Sequence, residues 1–126
     1  MRARVDLTLI EGATYRKRFR WKSGDPAQPV DLTGWTGFMQ IRERIEDPEP
    51  IITLSTENGR FRVLDQTANQ GFYEIEIEET EARKLAPDHR QRVAVYDLFL
   101  YDDGVTPDAR AHQYGNVTIE PVAARP

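Results

Sequence analysis

The feature that most constrains the fold of this chain is a two-residue alternation of apolar and polar side chains. In the clearest example, Tyr73, Ile75 and Ile77 alternate with three glutamates. Such a period places the two kinds of side chain on opposite faces of a β-strand, whereas an amphipathic helix repeats about every 3.6 residues. Proline-containing segments at 23–29 and 47–50 separate the alternating runs, and proline lacks the N–H donor that an inner strand needs. The pattern therefore predicts an all-β fold.

The spacing of the turns predicts seven to eight short antiparallel strands with one short helix. The strands are expected near 5–9, 15–21, 35–44, 51–55, 61–64, 72–78, 93–101 and 109–120. Because Asn58-Gly59 favours a tight hairpin turn, the strands on either side of it are expected to pair. The helix is expected near 80–86, where Thr80 can cap it and Pro87 ends it. This inventory is typical of a two-sheet β-sandwich, with a small closed barrel as the alternative.

Length and composition exclude several classes of protein. The 126 residues suffice for a single domain, 1–126, with a core of its own. No apolar run approaches the roughly 20 residues of a spanning helix, so no membrane association is expected. The absence of cysteine excludes disulfides, thiolate metal sites and a cysteine nucleophile. The first residues lack the apolar stretch of a secretory signal, which predicts a mature chain that starts at Met1 in a cytoplasm.

The residues that could perform chemistry are scattered. His89 and His112 are far apart, and neither has a second ligand at metal-binding spacing. The segment 102–104 predicts a hairpin turn rather than a calcium loop, since it lacks alternating oxygen ligands and a closing glutamate. Acidic residues at 78–81 are typical of a solvated helix start. We therefore expect no enzyme, no catalytic residue, no metal and no cofactor.

Two rows of charge stand out in this sequence. The basic row is Arg16, Arg18, Arg20 and Lys22, and the acidic row is Glu74, Glu76 and Glu78. On a strand, the basic row lies opposite Tyr15, Phe19 and Trp21, so these aromatic side chains face the core and cannot stack on bases. With a net charge of −4, this argues against nucleic acid as a partner. We expect the rows to pair across adjacent strands as a charge ladder, each pair contributing roughly 0.2–1 kcal/mol. A basic docking patch for an acidic neighbouring subunit is the alternative.

Two regions are candidates for contact with other proteins. The strand near 93–101 is apolar on both faces, which predicts a central position or cover by a neighbouring chain. The short termini, 1–4 and 121–126, are expected to be peripheral to the core and available for docking. The candidate interface residues are Arg2, Arg4, Phe99, Tyr101 and Arg125.

Four short phrases occur in a fixed order along the chain. They are Glu11-Gly12-Ala13-Thr14-Tyr15, Asp31-Leu32-Thr33-Gly34-Trp35 before Phe38–Arg42, Gly71-Phe72-Tyr73, and Tyr96-Asp97-Leu98 followed by Gly115–Pro121. Their order and spacing over Val5–Pro121 resemble a family of small tailed-bacteriophage virion proteins with an immunoglobulin-like β-sandwich, similar to the N-terminal domain of phage baseplate upper proteins.

The resemblance implies a non-enzymatic structural component of a virion, made in the host bacterial cytoplasm. Such a component would connect or decorate larger parts of the tail, baseplate or neck. Its partners would be other virion proteins, and several copies would form a symmetric ring. One alternative is a capsid or collar decoration protein. Another is a carbohydrate-binding module for host attachment, which would require exposed coplanar aromatic side chains from Trp35, Phe38 and Phe72.

Overall fold

A computed structural model describes residues 2–88, 90–102 and 111–122 of the chain. The prediction of an all-β fold is confirmed, because the described residues form eleven strands and one helix. The strands are β1 (Arg2–Arg4), β2 (Leu7–Ile10), β3 (Tyr15–Arg20), β4 (Lys22–Ser23), β5 (Gln28–Pro29), β6 (Thr36–Arg42), β7 (Ile52–Ser55), β8 (Phe61–Val63), β9 (Phe72–Ile77), β10 (Arg92–Tyr101) and β11 (Ala111–Glu120). The helix α1 spans Glu79–Leu85, within one residue of the predicted segment.

The larger sheet has the order β11–β10–β6–β7, and both β1 and β2 pair with β11 on its other side. Strand β10 lies between β11 and β6, with Tyr96 opposite Gly115 on one side and Ile41 on the other. The central position predicted from its apolar faces is therefore confirmed. The pairs that β1 and β2 make with β11 are parallel, so the expectation of purely antiparallel strands is wrong there. Residues 2–4 form an edge strand of this sheet.

The smaller sheet has the order β3–β9–β8, and both of its strand pairs are antiparallel. Strands β4 and β5 form a separate short hairpin in which Lys22 lies opposite Pro29. Proline is tolerated at this position because a strand at an edge does not need every N–H donor.

The expected hairpin around Asn58 is wrong, because β7 pairs with β6 and β8 pairs with β9. The Asn58 carboxamide oxygen accepts hydrogen bonds from the N–H groups of Ser55 and Arg60, both at 3.0 Å. Its amide nitrogen donates to the carbonyl oxygen of Thr53 at 2.9 Å. Since the side chain of Asn58 satisfies these backbone groups, the two strands need not pair with each other, and the turn carries the chain between sheets.

One hydrophobic core lies between the inner faces of the two sheets. Its fully buried side chains include Leu9, Leu32, Met39, Ile41, Leu54, Phe61, Ile75, Ile77, Leu98, Leu100, Val117 and Ile119. The ring of Phe61 stacks on Tyr73 with centroids 5.4 Å apart. A Cβ atom on Gly37 would overlap the Phe61 ring, so this glycine permits the close approach of β6 and β8. Helix α1 adds the buried side chains of Ala82 and Leu85.

Candidate interaction surfaces

The outer face of the smaller sheet carries paired charges. Alternation along β9 buries Ile75 and directs the glutamates on either side of it outward. In the register of β3 and β9, Arg16 lies opposite Glu76 and Arg18 lies opposite Glu74. The Arg16 Nε atom is 2.7 Å from Glu76 Oε1, and the Arg18 Nε atom is 2.9 Å from Glu74 Oε2. The structure thus brings together two members of the predicted basic row and two of the acidic row.

Strand β8 and the residue before it contribute two arginines, Arg62 and Arg60, that were not predicted. Because β9 lies between β3 and β8, its glutamates are reached from both sides. Arg62 Nη1 is 2.9 Å from Glu74 Oε1, and Arg62 Nη2 is 3.2 Å from Glu76 Oε1. Arg60 Nη1 lies 3.0 Å from Glu76 Oε2 and 2.5 Å from Glu78 Oε1. The two-residue spacing of these arginines around Phe61 was the available signal. The charge network comprises Arg16, Arg18, Arg60, Arg62, Glu74, Glu76 and Glu78.

Three members of the predicted rows do not pair as expected. Arg20 lies opposite Phe72, where β9 begins, so its guanidinium lies 4.7 Å from the Phe72 ring centroid instead of contacting a carboxylate. Lys22 lies in the β4–β5 hairpin because the chain has left the smaller sheet by this point. Glu78 follows β9 and precedes α1, and its contact with Arg60 replaces the expected contact with the basic row.

The arginines of this network favour the ionised forms of Glu76 and Glu78. Hydrogen bonds, from Arg16 first and then from Arg62, hold the pKa of the largely buried Glu76 below its usual range. The hydrogen bond from Arg60 likewise lowers the pKa of Glu78. Since each carboxylate serves as a fixed acceptor, the network can hold β3, β9 and β8 in register.

A second polar network lies between the sheets. The Tyr73 hydroxyl donates to Gln113 Oε1 at 3.0 Å, and Gln113 Nε2 donates to the Tyr96 hydroxyl at 2.9 Å. The Tyr96 hydroxyl in turn donates to the Val5 carbonyl oxygen at 2.5 Å. Burial raises the pKa of Tyr96 to about 12 and also raises the pKa of Tyr73. This tyrosine–glutamine chain joins the smaller sheet to β11, β10 and the segment between β1 and β2.

An aromatic cluster lies on the outer face of the larger sheet. Phe38 and Phe99 are opposite each other in register and stack with ring centroids 5.3 Å apart. Tyr101 packs edge-on against Phe38 at 6.1 Å. All three side chains are half-buried. The structure thus brings together the predicted interface residues Phe99 and Tyr101, and the cluster gains Phe38.

The remaining predicted interface residues lie away from the aromatic cluster or outside the described part of the chain. The guanidinium of Arg4 lies 5.9 Å from the ring centroid of Tyr114, and its Nε atom is 3.3 Å from Asp6 Oδ1. The side chain of Arg2 and the whole of Arg125 lie outside the described part of the chain, as does most of the predicted turn at 102–104.

The three aromatic residues proposed for carbohydrate binding do not share a surface. Trp35 packs edge-on against Trp21 at 5.0 Å. Phe38 belongs to the outer face of the larger sheet. Phe72 lies beneath the Arg20 guanidinium on the outer face of the smaller sheet. The structure therefore does not assemble these side chains into the coplanar platform that sugar binding requires.

Comparisons with known proteins add no family to this description. No protein-family model matches the chain, and no curated protein matches it. Within 2–88, 90–102 and 111–122, no group of three or more potential metal ligands comes together. Over the same ranges, no helix has the length and apolar character needed to cross a membrane.

Proposed function

We propose that this chain is a non-enzymatic structural module of a tailed-bacteriophage virion and that its fold is an immunoglobulin-like β-sandwich. The observation that carries the proposal is the strand order. An immunoglobulin-type sandwich has a sheet in which the second, fifth and fourth strands are neighbours, facing a sheet built on the seventh, sixth and third. The order β3–β9–β8 corresponds to the first sheet, and β11–β10–β6–β7 to the second with one added edge strand.

The positions of the sequence phrases support the same proposal. In the Asp31–Trp35 phrase, the Thr33 N–H donates to Asp31 Oδ1 at 3.0 Å and the Trp35 N–H donates to the Leu32 carbonyl at 2.9 Å. This turn buries Leu32 completely at the entrance to β6. The phrase that starts at Gly71 opens β9, and the phrase that starts at Tyr96 lies in central β10. The phrases therefore mark turns and packing positions of the proposed sandwich.

The aromatic cluster of Phe38, Phe99 and Tyr101 is the surface that we assign to contacts with other virion proteins. Aromatic side chains are enriched at protein interfaces relative to the rest of the protein surface. In the tail, baseplate or neck, this face would pack against a neighbouring subunit of a symmetric ring, with Arg2, Arg4 and Arg125 as further candidates. A capsid or collar decoration protein has the same requirements and is the second candidate.

Fractionated phage particles test the assignment. A tagged copy of this chain is expressed from the genome of the phage that encodes it, and heads and tails of purified particles are separated. We expect several copies of the chain in the tail fraction. Recovery with heads would favour capsid decoration, and absence from both fractions would contradict a virion role.

A matched pair of variants tests the contact surface in the same experiment. Phe99→Ser removes the ring that stacks on Phe38, whereas Val95→Ser alters the same face of β10 away from the cluster. If the cluster is the interface, Phe99→Ser should lower incorporation at least tenfold while both purified variants keep their β-sheet circular dichroism. Equal incorporation of the two variants would show that another surface makes the contacts.

A further inference from the structure

Strand β3 forms an open edge of the smaller sheet. Among the described residues its only strand partner is β9. It spans six residues, whereas the other edge strands β7, β8, β1 and β2 span four, three, three and four. A long unpaired edge presents a row of N–H and C=O groups that can pair with another chain.

The hydrogen bonds of the smaller sheet identify which groups of β3 face outward. The Trp21 N–H donates to the Gly71 carbonyl at 2.8 Å on the β9 side. Because alternate residues of an antiparallel pair form the hydrogen bonds, Lys17 and Phe19 also bond β9. The opposite side of β9 has the complementary phase, since the Glu76 N–H donates to the Arg60 carbonyl at 2.9 Å.

The peptide groups of Arg16, Arg18 and Arg20 therefore point away from β9. No described residue forms a hydrogen bond with their N–H or C=O groups. Strand β7 differs, because the side chain of Asn58 already binds the outward N–H of Ser55 and the outward C=O of Thr53. Of the edges of β3 and β7, only the β3 edge therefore has a continuous row of free backbone N–H and C=O groups.

This edge is also positively charged. Within the described part of the chain, Lys17, Arg20 and Lys22 form no ion pair with a carboxylate. A second copy would suit the edge poorly, since antiparallel pairing centred on Arg18 would place Arg16 opposite Arg20 of the other copy, and like charges directly opposite are destabilising. The charges thus disfavour self-pairing and favour an acidic partner.

We propose that the open edge of β3 binds an extended acidic segment of a partner protein by β-strand addition. The main chain of that segment would pair with Arg16, Arg18 and Arg20, which supplies affinity. Its outward side chains would be acidic because they lie beside these arginines. Its inward side chains would be mainly apolar because they lie beside the half-buried Tyr15 and Phe19. Binding at the β3 edge does not depend on the virion assignment.

Amide hydrogen exchange with a synthetic peptide tests the proposal directly. The probe is a labelled ten-residue peptide of alternating glutamate and valine, and its control replaces each glutamate with lysine. In the free protein, the N–H groups of Arg16, Arg18 and Arg20 should exchange fast while those of Lys17 and Phe19 are protected. The glutamate peptide should slow exchange at the three arginines at least tenfold, and the lysine peptide should bind at least tenfold more weakly by fluorescence anisotropy.

Two substitutions at one position separate the backbone from the side chain. Arg18→Ala and Arg18→Pro both remove the contact with Glu74, but only Arg18→Pro also removes the outward N–H, which β9 does not use. We expect Arg18→Ala to bind the glutamate peptide about three- to fivefold more weakly than the unaltered protein, because one of the charges beside its glutamates is lost. We expect Arg18→Pro to bind at least tenfold more weakly than Arg18→Ala, because it also loses the outward N–H. If Arg18→Pro does not fold, the protection measured in the unaltered protein decides the question.

Several results would overturn the proposal. Absence of peptide binding is one, and equal binding by Arg18→Ala and folded Arg18→Pro without arginine protection is another, since that pattern indicates surface charge attraction alone. Slow exchange of Arg16, Arg18 and Arg20 in the free monomer would show that the edge is already covered. Their protection on concentration-dependent self-association would identify a second copy as the occupant.

Discussion

The charge network on the smaller sheet and the tyrosine–glutamine chain between the sheets both link separate strands, but they do so in different surroundings. Each joins side chains from three separate strands or segments. The network lies where water reaches its arginines, and Arg16 keeps 62% of its side-chain exposure. The chain lies in the core, where Tyr96 is only 2% exposed. Ionised groups form the exposed network and neutral groups form the buried chain, because an ion loses far more hydration energy on burial than a hydroxyl or an amide.

We expect the two networks to contribute differently to the stability of the fold and to the register of its strands. An exposed ion pair contributes little because water and salt screen it and both side chains must be immobilised. The charge network should therefore act mainly by penalising a slipped register of β3, β9 and β8. Breaking a buried hydrogen bond costs more, since the remaining polar group then has neither a protein nor a water hydrogen-bond partner. The tyrosine–glutamine chain should consequently dominate the energetic comparison.

The largest expected effect follows from removal of the central member of the buried chain. Gln113→Leu leaves the hydroxyls of Tyr73 and Tyr96 without their amide partner while keeping the volume at position 113 similar. We expect the free energy of unfolding to fall by about 2–4 kcal/mol, since each unsatisfied buried polar group costs roughly 1–3 kcal/mol. Urea-induced unfolding followed by tryptophan fluorescence measures the change.

A glutamine outside the core provides the control for that variant. Gln91 is exposed and precedes β10, so Gln91→Leu should change the free energy of unfolding by less than about 0.5 kcal/mol. In the double variant Tyr73→Phe/Gln113→Leu, the two losses should be less than additive, because Tyr73 no longer presents an unsatisfied hydroxyl. Full additivity would show that Tyr73 and Gln113 do not interact.

The two networks should fail at opposite ends of the pH scale. The pKa of Tyr96 rises from its ordinary value of 10.0 to about 12 in the folded protein. Its neutral form is therefore favoured by folding, and this contribution, roughly 2–3 kcal/mol, is complete below pH 10 and is lost as pH rises toward 12. The pKa of Glu76 is lowered from 4.5, so its contribution is present above that pH and is lost as pH falls below it.

Thermal unfolding across the pH range measures both losses. Glu76→Gln should make the loss of thermal stability at acid pH smaller and leave the loss at alkaline pH unchanged. Glu57→Gln is the matched control, because Glu57 is exposed and forms no ion pair within the described residues. An acid-side profile that is the same in Glu76→Gln and in the unaltered protein would show that the arginines do not stabilise the ionised Glu76 carboxylate.

Periodic features were the ones that the sequence could predict. The alternation around Ile75 defined the strand and directed the acidic row outward, and the apolar faces of the strand containing Tyr96 indicated its central position. The helix was also predictable, although its N-cap is Glu78 and not the predicted Thr80. The Glu78 N–H donates to Glu81 Oε1 at 3.2 Å. In each case a local pattern determines the geometry.

Features that depend on contacts between distant residues were not predictable. Asn58-Gly59 carries the signal of a hairpin turn, but the burial of β7 and β8 in different sheets overrides that local preference. The tyrosine–glutamine chain joins Tyr73 to Gln113, forty residues away, and neither residue is unusual in its own segment. The partners of Glu74 on β8 required knowledge that β9 lies between two strands. Strand order across the core, rather than local pattern, determined these contacts.

The smallest expected effect tests the pairing within the charge network. A double-mutant cycle with Arg18→Ala and Glu74→Ala should give a coupling of about 0.2–1 kcal/mol, because the side chains meet at 2.9 Å but Arg18 is 60% exposed. The coupling should shrink in 1 M salt, where the screening length is about 3 Å. A parallel cycle with Arg20→Ala and Glu74→Ala should give no measurable coupling, since Arg20 contacts Phe72 instead. Equal coupling in the two cycles would mean that β3 responds to the general negative potential of β9, and the register of the smaller sheet would then need another source.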